Sequence, residues 1–332
     1  MKKYQIYGVG AALVDTEIEV TDIELTRIGV DKGLMTLVDE QRQSEILEHL
    51  QGHLVTANRA SGGSAANTII ASSYFGGSCF YSCKVAKDEN GAFYLQDLRD
   101  SGVDSNFHDD KEHGVTGRCL VLISPDAERS MNTYLGISET LSIADLNPEA
   151  IANSQYVYLE GYLVTSDTGR AAAIQTREIA EKHNVKTALS FSDPGMVEFF
   201  KDGLGEMIGN GVDLVFCNKD EALAWANTDD LDKAITAIKK VAKAFAITLG
   251  AEGALIFDGE QTHSIPGHSV KAIDTNGAGD MFAGAFLYAI TNGRSFKQAG
   301  ELASLASAQV VSQYGPRLRA EQYLEILSVE NQ

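Results

Sequence analysis

Cysteine, proline and basic residues are all scarce in this chain of 332 residues, and each shortage excludes something. Four cysteines (Cys79, Cys83, Cys119 and Cys217) are too few for a disulfide framework, and none stands in a CxxC pair. Free thiols in a reducing, cytoplasmic setting are the expectation. Five prolines against 31 glycines exclude a collagen-like chain. Lysine plus arginine number 27 and aspartate plus glutamate 46, a formal net charge of −19. No basic run exists to neutralise a phosphate backbone, so nucleic acid is not an expected partner. The acidity suits solubility and still allows a small anionic ligand held by a few local donors.

Long apolar runs are also missing. Ser61 to Cys83 carries no charge, but Gly, Ser and Asn interrupt it; a membrane span needs about 20 predominantly apolar residues. Lys2 and Lys3 precede a semi-apolar run ending at Asp15. Tyr4, Gln5, Tyr7, Gly8 and Gly10 within it suit a first strand better than a signal peptide. There is no GxxxxGK[ST], no HRD or DFG set, no HExxH and no G-x-S-x-G. His49, His53, His108, His113, His183, His263 and His268 form no ligand pattern. Gly8-Val9-Gly10 lacks the third glycine of a dinucleotide fingerprint, since Leu13 stands there. A nicotinamide oxidoreductase is therefore disfavoured.

What is present is 44% hydrophobic and 22% charged residues, the balance of a folded protein. Tyr4–Val14 reads as a buried strand, followed by a mixed stretch with a strand at Leu34–Val38 and a helix at Gln41–Leu50. Ala65–Phe75 and Gly91–Ser101 read as helices and Cys79–Val85 as a strand. Arg118–Ser124 and Ser130–Leu135 read as a hairpin. From Gln155 strands (Tyr156–Leu159, Lys186–Phe191, Leu214–Cys217, Phe245–Leu249, Ala254–Asp258) alternate with helices (Thr168–His183, Glu221–Trp225, Leu231–Ala242). That alternation predicts a parallel sheet with helices on both faces, the last two strands forming an antiparallel hairpin. Helices are predicted at Gly277–Thr291, Phe296–Gln313 and Ala320–Ser328. With no repeat or linker, 1–332 reads as one α/β domain, and the irregular pieces near 15–60 and 108–138 as an excursion from it.

Asp274-Thr275-Asn276-Gly277-Ala278-Gly279-Asp280 carries most of the chemistry. Small residues run into an apolar helix whose first amides lack partners and whose dipole favours negative charge. This is a cradle for phosphate, and Asp280 at the helix start can accept a hydroxyl proton or align the attacking oxygen. An acidic residue in a first turn is otherwise an ordinary cap, but a cap needs no Gly-Ala-Gly. Ser61-Gly62-Gly63-Ser64-Ala65-Ala66-Asn67 is a second small-residue helix entry, where Asn67 offers donor and acceptor to a hydroxylated ligand. Asp15, at a strand end, can hold two sugar hydroxyls or be a plain loop aspartate. Asn218 and Glu221 form an Asn-x-x-Glu capping box, or Glu221 joins the water network of a metal. Thr248–Gly253 is a hairpin turn, or a backbone across which a nucleotide lies.

In order and spacing these segments resemble the PfkB (ribokinase-like) carbohydrate and nucleoside kinases across essentially the whole chain. Asp274–Asp280 is similar to their C-terminal signature, with Asn276 where a second Thr is usual. Ser61–Asn67 is similar to their Gly-Gly signature, Asn218–Glu221 to their Asn-x-x-Glu motif and Thr248–Gly253 to their nucleotide turn. The resemblance implies a three-layer αβα sandwich with a small β-rich lid. It implies Asp280 as base and the amides of Gly277, Ala278 and Gly279 as an anion hole. It assigns Asp15, Gly63 and Asn67 to the substrate, and Asn218, Glu221, Thr248 and Gly250 to ATP. Magnesium would meet Glu221 through water, and Asp274, with Gly315 near, would face a monovalent cation such as potassium.

Lys32–Glu40, Ala127–Ser138 and Tyr158–Leu163 look most similar to the adenosine-kinase-like branch. Met35, Met131, Tyr134, Tyr162 and Phe191 are candidates to cover a flat base. The expected substrate is thus a nucleoside such as adenosine. A ribokinase-, fructokinase- or ketodeoxygluconate-kinase-type acceptor is the alternative, and a non-catalytic sugar or nucleotide binder the remote one. Monomer and homodimer are both compatible with the sequence.

Overall fold

The computed structural model of the protein describes residues 2–52, 60–106 and 112–330. His53, His108 and the stretches 53–59 and 107–111 of the expected excursion lie outside the described residues.

The first apolar run makes β1 (Tyr4–Val9) and then β2 (Leu13–Glu19), two strands in different sheets. This corrects the expectation of one strand over Tyr4–Val14. The chain turns at Gly10, where a Cβ would lie 2.5 Å from the Glu160 carboxylate carbon. Ala11 then gives its amide to Glu160 Oε1 at 2.6 Å rather than to a strand. The break sends the chain out of one sheet and into the other.

The remaining strands are β3 (Met35–Leu37), β4 (Ala60–Gly62), β5 (Cys79–Ser82), β6 (Asp104–Ser105), β7 (Gly117–Ile123), β8 (Arg129–Tyr134) and β9 (Ser154–Glu160). After them come β10 (Lys186–Ser190), β11 (Val212–Asn218), β12 (Ala242–Thr248), β13 (Gly253–Phe257) and β14 (Thr262–Pro266). A nine-stranded sheet runs β14-β13-β12-β11-β10-β9-β1-β5-β6, parallel from β12 to β6 and antiparallel at the β13–β14 edge. Helices Ser64–Tyr74, Ala278–Thr291 and Phe296–Val310 pack on one face. Asp167–Lys182, Lys219–Ala226 and Leu231–Ile238 pack on the other. This is the expected αβα sandwich. Leu231–Ala242 ends as a helix at Ile238, because Val241 turns to accept the Val212 amide and Ala242 opens β12. β14 and the helices Pro194–Phe199 and Lys201–Ile208 were not legible.

The second sheet, β3-β8-β7-β2-β4, is the lid. Period-two alternation divides its residues. Ile18, Val20, Leu120 and Leu122 pack with Leu25, Ile28, Ile46 and Leu50 of the lid's own helices. The opposite face carries Leu13, Cys119, Val121, Ile123 and Met131. Register places Asp15 beside Cys119, Glu17 beside Val121, Val121 beside Met131, and Met131 beside Met35 on that same face.

Candidate active site

The expected site residues converge at the C-terminal ends of the parallel strands, where an open α/β sheet leaves a crevice. Asp280 is the third residue of helix Ala278–Thr291. Its Oδ1 accepts from Ser64 Oγ at 2.6 Å and its Oδ2 from Asn67 Nδ2 at 3.1 Å. Ser64 opens helix Ser64–Tyr74, so two helix entries meet at one carboxylate. Burial raises the Asp280 pKa; those two bonds and the charge of Arg129 pull it back.

Glycine is demanded at few places here. Gly277 caps the helix with φ +73, and a Cβ would lie 2.5 Å from the Pro316 carbonyl oxygen. Gly63 has φ +95, and a Cβ there would strike the Ala11 carbonyl. At Gly279 a Cβ would meet only open space, and as the second residue of the helix its amide has no partner within the helix. Ala278 differs from the expectation, since its amide donates to the Thr275 carbonyl at 3.3 Å.

Asp15 is buried directly over Gly62, where a Cβ would collide with its carboxylate. Burial, with Glu17 and Asp280 nearby, pushes its pKa up to about 8 against the opposing charge of Arg317. Asn218 and Glu221 form the capping box: Glu221 N donates to Asn218 Oδ1 at 2.8 Å, and Asn218 N donates to Glu221 Oε2 at 3.0 Å. Burial raises Glu221 to about 7, with Asp193 adding to it and Arg129 opposing. Thr248 ends β12 beside Asn218, and Gly250 (φ +61) leaves open space above the following turn. Asp274 is fully buried; Oδ1 accepts from Asn276 N at 2.8 Å and Oδ2 from Gly315 N at 2.9 Å. The structure thus brings Asp274 and Gly315 together.

Several residues of this region went unread. Ser64 sits inside the Ser61–Asn67 motif and could have been found there as a helix-entry hydroxyl. Arg129 stands on the inward face of β8 and donates to the Thr275 carbonyl at 3.4 Å. Its charge also opposes the raised pKa values of Asp193 and Asp274. Glu160 accepts the Ala11 and Ala65 amides and is raised by burial to about 7. Glu17 is raised by burial and by Asp274 to about 7, and its Oε1 is buried with no hydrogen-bond partner. Arg317 donates from Nε to Asn67 Oδ1 at 3.3 Å; no sequence signal marked it.

Of the base-covering candidates, Met35 and Met131 face inward from the lid. Tyr162 donates to the Ser192 carbonyl at 3.3 Å and feels Asp193, Glu221 and Asp280. Phe191 is instead core, packed on Trp225 with ring centroids 4.9 Å apart. Tyr134 alternates to the other lid face, under Arg118.

Among the described residues no group of three His, Cys, Asp or Glu could hold a metal. Buried Asp193 and Glu221 lie within one another's field, which suits magnesium arriving on phosphates and held through water. Glu17 Oε1, which has no hydrogen-bond partner, lies near Gly315, so the oxygens a monovalent cation would meet at this corner are those of Asp274 and Glu17.

Residues 33–322 match the family model described as pfkB family carbohydrate kinase. The chain is 34% identical to the adenosine kinase of Sinorhizobium meliloti, whose solved structure superposes with a TM-score of 0.93, covering 98% of this chain and 99% of that one. It is 32% identical to a probable sugar kinase from Rhizobium etli CFN 42, with a TM-score of 0.92 over 99% of this chain and 100% of that one. An adenosine kinase of Schizophyllum commune is 28% identical over 96% of this chain and 98% of its own length.

Proposed function

The chain belongs to the pfkB family of carbohydrate kinases, a kinase that phosphorylates a hydroxyl, and on that premise we propose that it phosphorylates the CH₂OH of a ribosyl acceptor, a nucleoside such as adenosine. The observation that carries the reading is the Asp280 carboxylate, held by Ser64 and Asn67 at the mouth of a glycine-rich helix entry.

In this reading Asp280 takes the proton of the acceptor hydroxyl as its oxygen bonds to the γ-phosphorus, and the bond to ADP breaks. The amides of Gly277 and Gly279 and the helix dipole offset charge gathering on the phosphoryl oxygens. Arg129 closes over the same place from the lid; Thr275 Oγ1 ties that lid corner down by donating to the Ala127 carbonyl at 3.0 Å. Asp15, Gly63 and Asn67 bind the sugar hydroxyls. Thr248, Gly250 and Asn218 hold ATP, whose magnesium neutralises its phosphates when bound. Asp274 and Gly315 would hold a monovalent cation beside the helix entry. The lid excludes water, which protects ATP from hydrolysis.

The nucleoside choice rests on the lid's inner face. Leu13, Val121, Met131 and Met35 form an apolar ceiling on the face that carries Asp15, of the kind a flat base packs against. Similarity to adenosine kinases along nearly the whole chain supports it. The Rhizobium etli relative keeps a sugar acceptor as the second reading. Four free thiols suit a cytoplasmic enzyme, and no described helix is long and apolar enough to cross a membrane.

The test is ADP release with Mg-ATP and potassium across adenosine, inosine, guanosine, cytidine, ribose, fructose and ketodeoxygluconate. Adenosine far ahead of ribose is expected. A free sugar ahead would keep the kinase chemistry and discard the nucleoside. No turnover on any would favour the non-catalytic binder.

A further inference from the structure

We infer that Arg317 is a positioning residue for phosphoryl transfer: it locks the Asn67 amide so that the nitrogen, not the oxygen, faces Asp280. This rests on the reading of Asp280 as the base.

Arg317 lies in the segment between helices Phe296–Val310 and Ala320–Glu330, outside every motif of the sequence. Its side chain is only 11% exposed. Each nitrogen of the guanidinium has its own acceptor. Nε donates to Asn67 Oδ1 at 3.3 Å, Nη1 to Asp97 Oδ2 at 3.0 Å and Nη2 to Ser61 Oγ at 2.9 Å. Ser61 Oγ in turn donates to the same Asp97 carboxylate. A planar fork with three separated targets is a geometry that lysine cannot reproduce.

The ends of an asparagine side chain are nearly equal in shape and opposite in chemistry. Asn67 is buried, so the choice is made against its protein neighbours. With Nδ2 toward Asp280 at 3.1 Å, both of its contacts are attractive. A half-turn would set oxygen against the Asp280 carboxylate and N–H against the guanidinium, making both repulsive. Arginine has no acceptor, so its presence forbids the half-turn. The order of constraint runs from Asp97 through Arg317 and Asn67 to Asp280. It holds the base in one orientation before the acceptor arrives, which is where intramolecular positioning acts.

The experiment is a double-mutant cycle on the full-length chain. Steady-state kinetics are measured with Mg-ATP and the best acceptor of the panel, for wild type, R317M, N67A and R317M/N67A. We expect R317M to lower kcat by about 10- to 100-fold with the KM for ATP within twofold. In the N67A background the same change should cost less than about threefold, since no amide is left to orient. R317M also strands Asp97, so R317K, which keeps a cation there, is run through the same cycle and should show the same coupling. Equal fold losses in both backgrounds would mean that Arg317 only supports the fold, and would overturn the inference. D280N separates this from the parent reading. Near wild-type turnover in D280N removes Asp280 as the base, whereas an inactive D280N with an additive cycle removes only the role of Arg317.

Discussion

A base must be ionised to act, yet burial opposes ionisation, and in its proposed role Asp280 meets both demands. Two hydrogen bonds and one lid-borne cation answer the burial. Substituting Asp280 by Asn should lower kcat by about 10²- to 10⁴-fold, the range of a general base. ATP affinity, read by calorimetry, should stay within a few-fold. The pH profile follows in sign. A raised pKa means that the base is protonated, and kcat/KM lost, as pH falls through a value above the usual carboxylate range. R129M removes a charge that holds this value down. The acid limb should therefore move to higher pH, and kcat should fall by an order of magnitude or more. An unmoved limb would detach Arg129 from Asp280. Asp280 itself was legible in the sequence because its neighbours are small residues with a local reason to be there. Arg129 and Arg317 were not, because their partners are Thr275, Asn67, Asp97 and Ser61, remote in sequence.

At the scale of elements, the site is a meeting of two helix entries and a lid corner. The entry at Gly277 tests how tightly it is built. G277A puts a side chain at φ +73 and against Pro316, which must move. A left-handed non-glycine residue costs about 1 kcal/mol before any clash. A lower Tm and a loss of at least tenfold in kcat are expected together; an unchanged Tm would mean that the Pro316 segment yields freely. Both helices of this meeting were readable to within a residue, since apolar periodicity after a small-residue loop is a local signal. Tyr4–Val14 was misread for the opposite reason. It looks like one continuous apolar strand until Glu160, about 150 positions away, captures the Ala11 amide and turns the chain at Gly10. Lid hairpin β7–β8 was legible as a hairpin, but its parallel pairing with β2 and β3 was not.

For the whole molecule, the site concentrates buried acids in a chain already carrying net charge −19. Asp15 is raised to about 8, and Glu17, Glu160 and Glu221 to about 7. In each, the folded form holds a proton that the unfolded form has released, over the window from about pH 4 to those values. Stability therefore falls as pH rises through that window. Depressed groups such as Asp126 and Asp258, both at about 2, lose their contribution only below about pH 4 and do not offset this. The ligand-free Tm should drop between pH 5 and pH 8. A Tm flat over that range would show that these acids are ionised in the folded protein.

The sequence alone determined the αβα plan, and it marked the glycine-rich helix entry and Asp280 on which the proposed chemistry rests. Each rests on periodicity or on small residues whose cause lies within a few positions of them. Only the tertiary structure decided where β1 ends, which lid face turns inward and which cations attend Asp280. Those outcomes come from side chains such as Glu160, Arg129 and Arg317, whose partners become neighbours only when sheet, lid and C-terminal segment close on one another.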